Sequence, residues 1–311
     1  MNNKIVGILD REPGYARRLM DVFNSRNRMG FQAEVFTSAE TFMEYSATQP
    51  VEILLVGDSL MQQSLKYAAS IVMIISEGEK IAEFDEIPII YKYQSSELII
   101  RKILEYYGEY GRKPEELCKP RMRVYGIYAP QDRTCKSEFA WNLAKRLGRS
   151  GSVLYMNLTA FSGRKRVQGS TKELADIMYY VKNGFDNLIY LVGSAVCSVE
   201  GIDCMPCMTS LDDLQQIFYE DWIRLIHTIM TQSHYEAVVI ELEECVQQFY
   251  RILDICSDVY FPAYRERDND RWEQCGQYFK MMGAEDVWKR GQMIQVNQQY
   301  WREDMENILQ S

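Results

Sequence analysis

The sequence predicts an α/β protein with two doubly wound, mostly parallel sheets, and three observations lead there. Apolar runs of strand length recur along the chain, among them KIVGILD (Lys4–Asp10), VEILLVG (Val51–Gly57), VYGIYA (Val124–Ala129) and AVVIEL (Ala237–Leu242), and stretches of helical period separate them. Strands that are continuously apolar rather than alternating belong to a sheet covered on both faces. A charged break, EYGRKPEELCKPR over residues 109–121, interrupts the series with Gly111, Pro114 and Pro120. It divides the chain into domains at residues 1–108 and 122–311, with 109–121 as linker. At 47% hydrophobic and 25% charged, 311 residues supply two cores of ordinary size.

In the first domain the strand Lys4–Asp10 leads into a helix over Pro13–Arg26, whose proline sits near the start, and then a strand over Phe31–Thr37. Ser38 is placed to cap the next helix, with Glu40 in its first turn. Strands follow at Val51–Gly57, Ser70–Ser76 and Ile87–Tyr93, and a helix over Ser95–Tyr107 closes the domain. An open α/β sheet places its chemistry at the carboxyl ends of its strands, which here carry Asp10, Gly57, Asp58, Ser76 and Lys92. This set resembles a response-regulator receiver, which the resemblance would supply with an acidic group after strand one, an acceptor aspartate ending strand three, a hydroxyl ending strand four and a lysine ending strand five. Asp10, Ser76 and Lys92 match. Gly57 stands at the acceptor position and Asp58 one residue later, and a one-residue shift in a strand reverses side-chain direction. The expectation is a pseudo-receiver that docks rather than receives phosphate; an unrelated flavodoxin-like domain is the other reading of the same strand order.

The second domain opens on strand Val124–Ala129, a polar loop ending in Lys136-Ser137, a helix over Ser137–Leu147 and a strand over Ser152–Leu158. A helix over Thr171–Asn183, a strand over Asn187–Gly193 and two helical stretches within Ser210–Thr231 follow. Strands at Ala237–Leu242 and Ser257–Ala263, a helix over Asn269–Met282 and a tail helix in YWREDMENIL complete it. Strand, loop, Lys-Ser, helix and strand are the parts of a phosphate-binding P-loop unit, but G-x-x-x-x-G-K-[ST] requires glycine where Pro130 and Cys135 stand.

This second half, with the stretch DDLQQIFYEDWIRLIHTIMTQSHYEAVVIELEE and the receiver-like front, resembles the MinD/ParA group of deviant Walker ATPases, and within it the TadZ/CpaE pilus-assembly branch. Laid on the family motif K-G-G-x-G-K-[ST], Lys136 falls at the lysine that contacts the β and γ phosphates and Ser137 at the hydroxyl that ligands magnesium. Gln131 replaces the lysine that reaches across the dimer interface; Asp132, Arg133 and Cys135 replace glycines. The resemblance implies phosphate contacts from Arg133, Thr134, Cys135, Lys136 and Ser137, base contacts from Pro262, Ala263, Tyr264 and Arg265, and a magnesium site of Ser137 with Glu241. Asp132 would bring a carboxylate towards a polyanion, and Arg133 would offset it. Strand two ends in Met156, Asn157, Leu158 and Thr159, without the carboxylates of an active family member, so no catalytic residue is assigned. Two readings of Glu241 stand, a water-mediated magnesium ligand or a partly exposed strand-end glutamate, and Lys136-Ser137 are equally the first residues of a surface helix.

Composition excludes other classes. A net charge of -9 argues against nucleic acid and anionic lipid, leaving Arg164, Lys165 and Arg166 as a local basic patch or a solvated loop. Eight scattered cysteines and no basic-then-apolar start point to reduced, cytosolic thiols. Cys204 and Cys207, with Cys197 upstream, lack a second pair at zinc spacing, so buried small residues are expected there and no zinc. His227 and His234 sit in no recognisable motif. No run approaches the ~20 apolar residues that span a bilayer. The expected protein is a cytoplasmic TadZ/CpaE-like scaffold of weak or absent ATPase activity, with ATP and Mg2+ as weakened or lost cofactors. Its expected partners are a second copy and pilus or secretion assembly proteins, through which it would be recruited to the cell pole or inner membrane face. An ATP-dependent dimerisation switch and a DNA-partitioning ATPase are the alternatives.

Overall fold

The computed structural model describes residues 4–25, 29–78, 84, 86–112, 122–159, 172–263 and 269–296. In chain order the elements are β1 (Lys4–Leu9), α1 (Pro13–Ser25), β2 (Phe31–Phe36), α2 (Ala39–Ser46), β3 (Val51–Gly57), β4 (Ile71–Ser76), β5 (Ile89–Tyr91) and α3 (Ser96–Tyr110). They continue with β6 (Arg123–Ile127), α4 (Arg133–Leu147), β7 (Val153–Leu158), α5 (Leu174–Lys182), α6 (Leu188–Ala195), β8 (Cys197–Val199) and β9 (Ile202–Cys204). The remainder are α7 (Leu211–Gln215), α8 (Tyr219–Gln232), β10 (Ala237–Leu242), α9 (Phe249–Asp254), β11 (Asp258–Ala263), α10 (Asn269–Met281), α11 (Glu285–Arg290) and β12 (Gln292–Gln295). Two compact units result, one of residues Met1–Glu115 with Asp186–Ser194, the other of Glu116–Phe185 with Ala195–Ser311.

The first unit is a five-stranded sheet in the order β2-β1-β3-β4-β5, with every pair parallel. Its central strands are buried along nearly their whole length, as the continuous apolar runs require. Helix α1 buries Ala16, Leu19 and Phe23, a single stripe at helical spacing. Ser38 and Ser95 cap α2 and α3 by accepting the Thr41 and Leu98 N–H groups.

One expected element changes type. The run over Asn187–Gly193, expected as a strand, is helix α6, and it belongs to the first unit. Its residues Leu188 to Val192 are all buried, so the helix is apolar all round and its run carries no period to separate helix from strand. Tyr190 packs on Phe31 and Tyr107, and Lys4 donates to the Tyr190 hydroxyl at 2.7 Å. Gly108 permits the approach, since a Cβ there would lie 2.7 Å from the Leu191 side chain.

The second unit is a seven-stranded sheet in the order β12-β11-β6-β10-β7-β9-β8, parallel except for β8. Phe139, Ala140, Leu143 and Ala144 of α4 pack on Tyr125, Tyr155, Val239 and Tyr260 of the sheet. Each large side chain so buried contributes about 1.5–3 kcal/mol. On the opposite face α9 lies so close to β6 that a Cβ on Gly126 would meet Leu253 at 2.7 Å. The β8–β9 hairpin was not expected from the sequence. Its turn residues Glu200 and Gly201 have φ of 50° and 83°, the primed geometry that matches strand twist.

Candidate functional site

The carboxyl end of the first unit's sheet is closed by its own charges. Lys92 is buried, and its ammonium bonds Asp10 at 3.3 Å, Glu12 at 3.0 Å and Glu77 at 3.1 Å, 4.8 Å from the Tyr15 ring centroid. Burial pushes this ammonium down, but the bonds to Glu12 and Glu77 and the charge of Asp10 outweigh it and leave it above the ordinary lysine range. Burial, helped by the charge of Asp10, pushes the Tyr15 hydroxyl up to about 12. Gly57 leaves the acceptor position without a side chain, and a Cβ there would stand 3.2 Å from Asp10 Oδ2. Asp58 does not follow strand alternation, because β3 ends at Gly57 and a 3-10 turn begins at Asp58. Its carboxylate accepts from Ser76 Oγ at 3.3 Å and from the N–H groups of Glu77 and Ser59.

In the second unit β6 lies between β10 and β11, while the helix that leaves it leads to β7 on the far side of β10. That is a topological switch point, where open α/β sheets place ligands. The loop after β6 reaches α4 through Asp132, whose Oδ1 accepts the Cys135 N–H at 3.0 Å. Asp132 is therefore the helix N-cap: its carboxylate takes an N–H that an anion at the helix start would use. Among the described residues, non-glycine positive φ occurs only at Glu200 and Gln248, so none falls within 128–137 and no nest of N–H groups forms there. Cys135 is fully buried in the core under α4; burial, with Asp132 and Glu138 adding charge, holds its thiol well above the ordinary range and so protonated.

Lys136, Ser137 and Glu241 do come together. Lys136 is 1% exposed; its Nζ donates to Leu242 O at 3.0 Å and Glu243 Oε1 at 3.1 Å, with Glu241 Oε1 at 3.8 Å. Ser137 Oγ donates to Glu241 Oε1 at 2.5 Å, and Tyr155 OH and Asn157 Nδ2 donate to Oε2 at 2.5 and 3.2 Å. Glu241 is 0% exposed, so it is not the partly exposed strand-end residue of the alternative reading, and Lys136 is not on a surface helix turn. The magnesium pair expected of Ser137 and Glu241 is thus bonded to itself. Among the described residues no group of three His, Cys, Asp or Glu is arranged to hold a metal. Asn157, opposite Glu241 in the β7–β10 register, also accepts from Thr159 through Oδ1, so both polar residues at this strand end are bonded within the fold.

Arg133 reaches Glu243 Oε1 at 3.5 Å from an exposed position. Thr134 is the second residue of the same helix. Pro262 and Ala263 lie in β11, between β6 and β12, and Tyr264 and Arg265 fall outside the described residues. So do the basic run 164–166, residues 113–121 of the linker and the tail from 297. Glu243 and Tyr155 are the participants that sequence reasoning missed. Tyr155 is two residues before Asn157 and so on the same sheet face, a signal available from period two alone. A cradle for a nucleotide does not fit these residues: Lys136 already donates to Leu242 O and Glu243 within the fold, the helix start is capped, and the loop lacks the backbone conformations that glycine would allow.

Residues 1–108 match the family described as "TadZ-like, receiver domain". No curated protein matches the chain. Among solved structures it is similar to a ParA family ATPase from Chlorobium tepidum TLS at 15% identity, covering 60% of this chain and 89% of that one with a TM-score of 0.42. It is similar also to a plasmid partition protein from Borrelia burgdorferi (14% identity, 62% and 86% covered, TM-score 0.37) and to cobyrinic acid a,c-diamide synthase from Mycobacterium smegmatis (9%, 61% and 81%, 0.38).

Proposed function

We propose that the chain is a TadZ/CpaE-like scaffold that localises or assembles a pilus or secretion apparatus, its second unit working without nucleotide turnover. The match of residues 1–108 to a TadZ-like receiver domain, ahead of a strand–loop–Lys-Ser–helix unit, carries this reading. The closed Lys136–Glu241–Glu243 cluster supports the second clause. In this proposal the chain acts in the cytoplasm as a homodimer, through the face bearing residues 131–137, and protein partners bring it to the pole or inner membrane face. No helix among the described residues is long and apolar enough to cross a membrane. A net charge of -9 disfavours a DNA-partitioning role. The second reading, an ATP-dependent switch, is favoured by the convergence of Lys136, Ser137 and Glu241 at one strand end.

The proposal is tested in the producing cell. Deletion of the gene should remove surface pili, and a fluorescent fusion should gather in foci that survive Ser137→Ala, which leaves the buried Lys136 in place. Unchanged piliation in the deletion strain overturns the scaffold reading, and foci lost with a Ser137→Ala variant that still unfolds cooperatively move the ATP switch to first place.

A further inference from the structure

We propose that Glu243 is a built-in anion standing where a ligand phosphate would stand, so that the site's cations are satisfied by the chain itself. The inference deepens the nucleotide-free reading above and rests on it. Both cations that the loop offers to phosphate converge on one carboxylate oxygen: Lys136 Nζ at 3.1 Å and Arg133 Nε at 3.5 Å from Glu243 Oε1. Lys136 donates hydrogen bonds to Leu242 O and Glu243, with Glu241 a further ion-pair partner at 3.8 Å. Two cations meet two carboxylates, so both cations are paired before any ligand arrives.

The chain holds Glu243 in that place. It follows β10 directly and is 4% exposed, its carbonyl accepts the Val246 N–H, and Val246 is itself buried. Two residues on, Gln248 takes a left-handed φ of 51° to start α9, a conformation that non-glycine residues adopt only where packing dictates it. The turn 243–248 therefore aims a carboxylate back at the loop. An incoming phosphate would compete with Glu243 for the same two cations and be repelled by its charge. Removing that charge should open the site, turning a chain that ignores phosphate into one that binds it.

The test titrates inorganic pyrophosphate, without metal, into wild type, Glu243→Ala, Glu243→Gln and the Glu243→Ala, Lys136→Met double variant by calorimetry. The expected result is no saturable binding by wild type, binding at least about tenfold tighter in the two single variants, and loss of that gain in the double variant. If Glu243→Ala does not fold in plain buffer, pyrophosphate should restore its cooperative melting transition, and failure to do so in a chain whose Glu243→Gln form is also unresponsive overturns the proposal. Folded single variants that gain nothing overturn the built-in anion while leaving the nucleotide-free reading intact. Saturable binding by wild type overturns both.

Discussion

Replacing Lys136 with methionine separates a structural lysine from one that waits for a ligand. The side chain is buried with Glu243 at 3.1 Å and Glu241 at 3.8 Å. At an effective dielectric of about 20 those separations correspond to attractions of about 5 and 4 kcal/mol. Much of that sum offsets the desolvation of three buried charges, so the intact cluster adds little net stability. Removing the cation alone is different, because buried Glu241 loses its counter-charge and Glu243 is left with the exposed Arg133 at 3.5 Å, and breaking a buried pair in this way costs about 3–5 kcal/mol. In an open nucleotide site the same change leaves the apo protein nearly as stable. All five tryptophans, at 141, 222, 272, 288 and 301, belong to the second unit, so tryptophan fluorescence follows that unit alone in urea. With a slope of about 2–3 kcal/mol/M, Lys136→Met should lower the midpoint by about 1–2 M. A shift below about 0.3 M would refute the claim that Lys136 is spent inside the fold.

Gly108→Val should destabilise the first unit by about 1–3 kcal/mol, because its Cβ would enter the Leu191 side chain of α6; circular dichroism of the unit is the readout, and an unchanged transition removes α6 from its core. Alkaline pH should weaken the second unit. Burial pushes the Cys256 thiol from 9.0 up to about 12, so its contribution is complete below pH 9 and lost as pH rises towards 12, at about 1.4 kcal/mol per pH unit. Cys256→Ala should reduce that slope while leaving the part due to the buried Cys135 thiol, and a wild-type midpoint constant from pH 8 to about 10.5 contradicts the assignment. Acetyl phosphate or beryllofluoride should leave the first unit unmodified, since Gly57 supplies no carboxylate and Lys92 is already paired; a phosphoaspartate mapped by mass spectrometry to Asp10 or Asp58 refutes this.

Much of both sheets was legible in the sequence because their strands are buried on two faces and read as apolar runs bounded by turn residues. Asn187–Gly193 defeats the same rule: a helix apolar all round and a buried strand leave one signature, and only packing on Phe31, Tyr107 and Gly108 decides between them. Strands β8, β9 and β12, at three or four residues, are too short to show a period. At the candidate site the lost glycines, Lys136, Ser137 and Glu241 were readable from spacing. The role of Asp132 was not, because an aspartate three residues before a buried position is equally a helix cap and a phosphate repellent until the Cys135 N–H is seen to point at it. Glu243 was missed because its partners lie more than a hundred residues away in the chain, on a helix whose register against β10 the sequence does not declare.

Sedimentation velocity of the full chain, with and without magnesium-ATP, tests the scaffold account most directly, alongside the Gln131→Glu, Arg133→Glu double variant. A scaffold whose site is satisfied from within should sediment as a dimer in both buffers, and the double variant should be a monomer in both. A wild-type monomer that dimerises only when magnesium-ATP is added contradicts the account and makes the chain an ATP-dependent switch.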